Sequence, residues 1–205
     1  PGLRKYICVL YIIGLFINIA SPQVYYYYLS LNPYRILHGE VWRLVTFLIQ
    51  SPNSNVIFFI FTLYLYYMLG QTLERVWGAF RFNLYYFAGV LFTIIGSFAA
   101  YFITGQVYLM DTYYINMSLF LAFAFVFPDM LLMFLIPIKI KWLAYLDIAL
   151  FVYEMVVGNI GTKISIAMAL LNFVIFFFGF MRKRVSPAQM HRRAAYKKAV
   201  KKMPS

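Results

Sequence analysis

The chain has 205 residues, of which 64% are hydrophobic and only 12% are charged. A soluble domain is about 45–50% apolar, and so few charged residues cannot cover a solvated surface, which excludes a disordered, secreted or cytosolic protein. Cys8 is the single cysteine, so neither a disulfide framework nor a cysteine-rich zinc site is possible. The net charge of +12 comes largely from residues 182–205, which hold nine Lys or Arg and no acid.

Six apolar segments are predicted to cross the membrane as helices. In chain order they cover residues 6–20, 56–69, 84–103, 113–127, 142–157 and 164–181. The first and fourth are short for a hydrocarbon core of about 30 Å, and they are expected to thin the bilayer locally. Residues 23–55, rich in tyrosine, form a long interfacial first loop. Residues 131–137 are too short to cross and are expected to be interfacial or re-entrant.

The positions of the basic residues predict the orientation. With both ends inside, fifteen Lys or Arg fall on the inner side and only Arg35, Arg43 and Lys163 on the outer side. Because inner loops are enriched in basic residues, both termini should face the cytoplasm. Within the third segment, Gly89 and Gly96 lie on one face and should allow close helix contact. The sequence thus predicts an all-α membrane domain over residues 1–181 and a basic cytoplasmic tail over residues 182–205.

Two sequence runs flank the second segment. The first is Gly-Glu-x-Trp-Arg-x-x-Thr and the second is Gly-x-x-x-Glu-x-x-x-Gly-x-x-Arg. Their defined positions are Gly39, Glu40, Trp42 and Arg43, followed by Gly70, Glu74, Gly78 and Arg81. Trp42 suits the membrane interface, and Arg43 can bond loop carbonyls or lipid phosphate there.

Together the runs resemble the rhomboid superfamily of intramembrane proteases and its inactive relatives, including the derlins, over about residues 31–102. The resemblance implies a rhomboid-like bundle of six transmembrane helices, in which both runs stabilise the fold rather than catalyse. It also implies that the fifth and second segments form a lateral opening for transmembrane substrates. Glu74, Arg75 and Arg81 should tie a cytoplasmic loop to the next helix.

Rhomboid proteases place a serine in a Gly-x-Ser-Gly setting on the fourth segment and a histidine on the sixth, with a supporting His and Asn on the second. The serine needs the imidazole as its base and donors for the developing charge. His38 and His191, the two histidines here, lie on no segment, and the supporting positions fall near Phe58 and Thr62. Ser118 has no neighbouring glycine and is interpreted as a helix serine bonded to its own backbone. The resemblance therefore points to a chain that is not an enzyme.

Polar residues within the segments are the candidate binding residues. Asp147 and Glu154 lie on one face of the fifth segment, and a carboxylate at the membrane centre costs about 2.5–3.5 kcal/mol, so it needs a partner or water. They are hypothesised to bind a client helix that carries its own polar residue. The alternatives are that they snorkel, that Glu154 reaches Lys163, or that they bond polar side chains of neighbouring helices. Asn116 and Asn172 are weaker candidates.

The basic tail has three possible partners. Its Lys and Arg are expected to contact anionic lipid headgroups, RNA such as a ribosome surface, or an acidic protein. These residues are Arg182, Lys183, Arg184, Arg192, Arg193, Lys197, Lys198, Lys201 and Lys202. No DNA binding, cofactor or metal is expected.

The function indicated is that of a rhomboid-like pseudoprotease, which binds transmembrane segments of client proteins without cleaving them and so affects their stability, trafficking or insertion. Two alternatives remain: a rhomboid-family serine protease with a non-standard site, such as Ser118 with Lys163, and a ribosome-associated membrane-insertion factor that uses the tail. A transporter would show repeated halves, and none is visible. The expected location is a bacterial plasma membrane, as a multi-pass protein.

Overall fold

The computed structural model describes residues 3–50, 55–133 and 137–181. Helices dominate this part of the chain. The long ones are α1 (Leu3–Ala20), α5 (Val56–Trp77), α6 (Ala79–Thr104), α7 (Tyr113–Val126), α8 (Ile140–Val157) and α9 (Ile160–Phe176), which continues as a π-helical turn, Phe177–Met181. Each coincides with a predicted segment, so the helical prediction is confirmed at all six places within the described residues.

The first loop folds into short helices rather than extended chain. They are α2 (Pro22–Val24) with a following π-helical turn, Tyr25–Leu29, then α3 (Pro33–Leu37), and α4 (Arg43–Thr46) with a 3-10 turn, Phe47–Ile49. Local sequence explains the start of α3, because Pro33 occupies the first turn and the Asn32 side chain accepts from the Arg35 amide at 3.2 Å.

The second predicted segment is longer than its apolar run. α5 begins where the Asn55 side chain accepts from the amides of Ile57 and Phe58, which is an N-cap. It passes through Gly70 and ends only at Trp77, so the second motif run is helical. Gly78 separates α5 from α6 and has a positive φ of +84°. Glycine adopts a positive φ without steric cost because it has no Cβ atom.

The glycines of α6 allow the close approach that their spacing predicts. A Cβ atom at Gly89 would lie 3.1 Å from Ile115 of α7 and 3.2 Å from the Asn172 amide of α9. At Gly96 it would lie 2.9 Å from Met168 of α9. The contact prediction is therefore confirmed: α6 packs directly on α7 and α9 because these two positions have no side chain.

A pair of short strands precedes α8. Two short strands, β1 (Leu131–Met133) and β2 (Pro137–Lys139), pair antiparallel with Leu131 opposite Lys139. These two three-residue strands leave the predicted all-α class in place, and the interfacial or re-entrant position expected for residues 131–137 stays a prediction. α8 starts directly after β2.

Three of the six long helices have the length and apolar composition of membrane spans. Within the described residues, Val56–Trp77, Ala79–Thr104 and Ile160–Gly179 are long and apolar enough to cross a membrane, while Lys5–Ala20 and Tyr113–Val126 are apolar but shorter. α8 has 18 residues and includes Lys141, Asp147 and Glu154.

The chain divides into two compact units, Pro1–Asn172 and Phe173–Ser205. The division falls inside α9, and the domain boundary predicted after residue 181 stays a prediction. In the first unit, α1, α5, α6 and α7 pack around a common core, and α8 packs mainly on α7. The core is built from apolar side chains such as Phe59, Val90 and Ile115, together with Tyr11 and Tyr86.

Candidate functional site

Arg43 holds the first loop together from inside. Its side chain is completely buried, and its Nε donates to the Glu40 carboxylate at 2.6 Å. The two terminal nitrogens donate to the carbonyls of Ser30, at 3.0 Å, and Tyr27. A guanidinium presents donors in a fixed fork, so it can satisfy three acceptors of separate turns at once. The expected bond from Arg43 to loop carbonyls is confirmed.

Two neighbours of Arg43 make similar bonds to the same turn. The Trp42 indole nitrogen donates to the Tyr28 carbonyl at 3.2 Å, and the Thr46 hydroxyl donates to the Leu29 carbonyl at 3.0 Å. The first motif run therefore binds the backbone of the tyrosine-rich turn before it. Such bonds fix a loop, and none of these atoms is free for chemistry.

Ser118 lies on α7, the fourth long helix, and rhomboid proteases carry their catalytic serine on the fourth segment. It is fully buried, its hydroxyl accepts from the Tyr85 hydroxyl at 3.0 Å, and it donates to the Ile115 carbonyl at 2.8 Å. The Asn172 amide of α9 donates to the Tyr85 carbonyl at 3.2 Å. The bond to Ile115 is the self-bonded helix serine that the sequence predicts.

The other positions relevant to proteolysis are also accounted for. His38 follows α3, is exposed, and its Nδ1 lies 2.7 Å from the Tyr34 carbonyl. On α5, the Thr62 hydroxyl donates to the Phe58 carbonyl at 2.8 Å. Ser118 therefore has Tyr85 as its side-chain partner, and His38 is bound to its own helix.

The two asparagines join helices within the core. Asn116 is buried and donates to the Tyr11 hydroxyl at 2.7 Å, and this hydroxyl in turn donates to Thr112 at 3.3 Å. This network ties α1 to α7, as the Asn172 bond ties α9 to α6. Both asparagines thus already have core partners, whereas a client-binding amide would need a free donor or acceptor.

Asp147 and Glu154 of α8 have fewer partners. Asp147 is only 5% exposed, and its Oδ2 atom has no hydrogen-bond partner among the described residues. The same holds for Oε2 of Glu154, although the carboxylate of Glu154 interacts with the Tyr114 hydroxyl of α7. An unpartnered buried acceptor costs about 1–3 kcal/mol, and more when it is charged. Among the described residues, these two are the acidic side chains that have a buried oxygen without a hydrogen-bond partner.

A cleft of about 210 Å³ lies between the α6–α7 loop and the starts of α7 and α9, and neither Asp147 nor Glu154 is among its lining residues. Tyr114, which interacts with Glu154, forms part of its wall and also interacts with Thr162. Asn159 begins α9 by accepting from the Thr162 amide at 2.9 Å. The lining residues are Tyr108, Leu109, Met110, Asp111, Tyr113, Tyr114, Asn159, Gly161, Thr162 and Ser165.

Asp111 is a member of this cleft that sequence reasoning did not identify. It lies in the loop after α6, its Oδ1 accepts from the Tyr113 amide at 2.8 Å, and burial raises its pKa above the ordinary value. Tyr113 and Tyr114 were also missed. An isolated Asp-Thr-Tyr-Tyr sequence after a polar loop reads as a helix start, so the only available signal was an acid beside paired interfacial tyrosines.

The basic tail, from Arg182 to Lys202, and His191 within it, fall outside the described residues. Among the described residues, no group of three or more His, Cys, Asp or Glu side chains is placed to hold a metal ion.

Apolar helices of membrane length, with polar side chains bonded to one another in their interior, define a helical integral membrane protein. Over residues 4–182 the sequence matches the family described as Eukaryotic integral membrane protein (DUF1751). The chain belongs to this family. No curated protein is significantly similar to it. Because the family is eukaryotic, the expected bacterial origin and bacterial plasma membrane are corrected.

Proposed function

We propose that this protein is a rhomboid-like pseudoprotease of a eukaryotic membrane, which binds transmembrane segments of client proteins without cutting them. In this proposal the six long helices cross the membrane, both termini face the cytoplasm, and α5 and α8 border the client opening. Clients held there change in stability, trafficking or insertion.

The observation that carries the proposal is the bonding of Ser118. A rhomboid serine must be free to lose its proton to a histidine and to reach a substrate carbonyl. Here the hydroxyl is buried, donates to its own helix and accepts from Tyr85, and a tyrosine hydroxyl in this role is a donor rather than a base. This arrangement supports a structural serine inside a retained scaffold.

The exposed faces of α5 and α8 support a role in binding helices. Ile57, Ile60 and Tyr64 of α5 are more than half exposed, and so are Val152 and Val156 of α8. Exposed apolar side chains on a membrane helix are satisfied by lipid tails or equally by another apolar helix. Since α8 packs mainly on α7, its remaining faces are available to a client.

The test is photocrosslinking in cells with a photoreactive amino acid at Ile60 and at Val152, each about 60% exposed. Phe16 of α1, which is 68% exposed, is the matched control because it is equally accessible but lies on neither α5 nor α8. A fluorophosphonate label runs in parallel, with an active rhomboid protease as its positive control. We expect discrete adducts with membrane proteins at Ile60 and Val152, weaker or different adducts at Phe16, and no labelled serine.

Two results would contradict the proposal. A fluorophosphonate adduct on Ser118 that disappears in Ser118→Ala would show that the serine is reactive. The same set of adducts at Phe16 as at Ile60 and Val152 would show that the probes sample neighbouring membrane proteins at random, with no binding face.

A further inference from the structure

Three of the six acidic residues of the chain act electrostatically on the same tyrosine. The charges of Asp111, Asp147 and Glu154 all act on the Tyr113 hydroxyl, and those of Asp111 and Asp147 also act on Tyr66 of α5. The three come from two different parts of the sequence, the loop before α7 and the helix α8. We call these three carboxylates the acidic site.

No cation compensates the acidic site within the part of the chain that the structure describes. The ion pairs of the described residues join Arg35 and Arg43 to Glu40, and Lys141 to Asp129. Lys163, which follows Glu154 most closely along the chain, is exposed and belongs to none of these pairs. The expectation that Glu154 reaches Lys163 therefore has no ion pair to support it, and no described cation pairs with the acidic site in a chain of strongly positive net charge.

Two oxygen atoms of the acidic site are buried without a hydrogen-bond partner among the described residues. Asp147 is only 5% exposed, yet its Oδ2 has no hydrogen-bond partner among the described residues. The Oε2 atom of Glu154 also has none. Buried carboxylates in stable structures are paired with a cation or fully hydrogen-bonded. An external cation would satisfy both orphan oxygens, whereas an apolar or anionic group would leave them unpaired.

We propose that the acidic site binds the basic side chain of an arginine or lysine carried within a client transmembrane segment. This assignment rests on the proposed client-binding function and names the class of client. Charge complementarity selects the basic group, since a cation inside an apolar segment needs a partner as much as Asp147 does. The rings of Tyr113 and Tyr114 lie beside the carboxylates and add favourable cation–π contacts.

The geometry suits a long side chain delivered from the membrane. Asp147 is buried on α8 and acts electrostatically on Tyr66 of α5. Glu154 lies two turns further along α8 and interacts with Tyr114, which lines the same cleft as Asp111. A client helix against α8 can lay the apolar stem of its Arg or Lys along this helix while the charged end reaches the carboxylates.

The experiment compares two single-span clients that differ at one position of an otherwise leucine-rich segment, which is Arg in one and Leu in the other. Both are co-expressed with the full chain bearing the photoreactive amino acid at Val152, and the Arg is moved through the segment one residue at a time. We expect the Arg client to crosslink roughly tenfold better than the Leu client, equal to about 1.4 kcal/mol, at one depth of the segment only.

The carboxylates are then neutralised without a change of shape. Asp147→Asn with Glu154→Gln should remove the preference for Arg and leave crosslinking of the Leu client unchanged. Glu154→Gln alone is the second variant, since Glu154 is only partly buried and this change leaves the core intact; it should reduce the preference. Asp129→Asn, an exposed acid beyond α7, is the control and should have no effect.

The outcomes separate this inference from the function on which it rests. Equal crosslinking of the Arg and Leu clients overturns the acidic site but leaves client binding standing. Crosslinking of neither client, together with no adducts of native membrane proteins, overturns client binding itself. An Arg preference that survives both variants refutes the assignment to these carboxylates. Carboxylate-dependent adducts with photoreactive phosphatidylethanolamine in place of the Arg client would make a lipid amine the occupant and refute a protein client.

Discussion

Replacement of Arg43 by methionine should destabilise the fold more than any other change in the first loop. Arg43 is fully buried and its guanidinium satisfies the Glu40 carboxylate and the carbonyls of Ser30 and Tyr27. Methionine has similar length and no donor, so all three acceptors lose their bond to Arg43 while the space stays filled. Glu40 and the Tyr27 carbonyl keep only their longer contacts to Arg35. The change therefore tests the hydrogen bonds separately from the packing.

The structure sets the size of the effect. Removing one partner of a buried ion pair costs about 3–5 kcal/mol, and each buried carbonyl left without a donor costs about 1–3 kcal/mol. Glu40 is 29% exposed and keeps Arg35 at 3.5 Å, so part of its charge remains solvated and paired. We therefore expect Arg43→Met to lower the free energy of unfolding by about 3 kcal/mol. Arg43→Lys, which keeps the charge on a single nitrogen, should cost about half of that.

The assay is equilibrium unfolding in mixed micelles, in which increasing dodecyl sulfate is followed by tryptophan fluorescence. Arg35→Met is the matched control, because the Arg35 side chain is 41% exposed and pairs with the same Glu40; an exposed pair contributes under about 1 kcal/mol. Equal losses in Arg43→Met and Arg35→Met would refute the reasoning, since they would show that the buried fork contributes no more than a surface ion pair.

Three further changes are predicted from the same structure. Tyr85→Phe removes the donor to Ser118 and should lower the free energy of unfolding by about 0.5–1.5 kcal/mol in the same assay. Gly161→Ala places a Cβ 2.5 Å from Tyr108 and should cost about 1–3 kcal/mol by overpacking. Asp111 has a raised pKa when folded, so the folded state binds its proton more tightly; stability should fall as pH rises from about 3.8 through the folded pKa. Asp111→Asn should abolish this decline in a pH series of unfolding midpoints.

Each of these changes has a control elsewhere in the described chain. Tyr153→Phe alters a hydroxyl on a residue that is 62% exposed and should be neutral. Gly179→Ala adds a methyl group where nothing lies within 4 Å. Asp129→Asn removes an acid that is 75% exposed and should leave the pH dependence in place. A control that matches its partner's effect would refute that prediction.

The helices could be predicted well because their signals are local. Apolar length locates α6 and α7. The caps of α5 and α3, at Asn55 and Asn32, also act within one turn, although α3 itself was not predicted. The end of α5 was predicted too early, because polar residues after Leu69 read as a loop. They are compatible with a helix that continues to Trp77, and only Gly78, with its positive φ, stops it.

Only some residues of the candidate site could be predicted from the sequence. Asp147 and Glu154 could be identified because charge within an apolar segment is costly wherever the helix packs. Asp111 and Tyr114 could not, since neither is unusual for a residue near the start of a helix. They join the carboxylates of α8 only because α7 and α8 pack together and bring the loop before α7 beside them.

The sequence by itself determined that this chain belongs in a membrane, where its long helices lie, and which two of its acids are costly. Hydrophobicity and helix signals act over a few residues, so they can be read without the fold. Tertiary structure decided that Arg43 binds the turn before it, that Tyr85 bonds Ser118, and that Asn116 bonds Tyr11. These partners are distant along the chain, and a polar group buried away from water takes whichever partner the packing of the helices brings within reach.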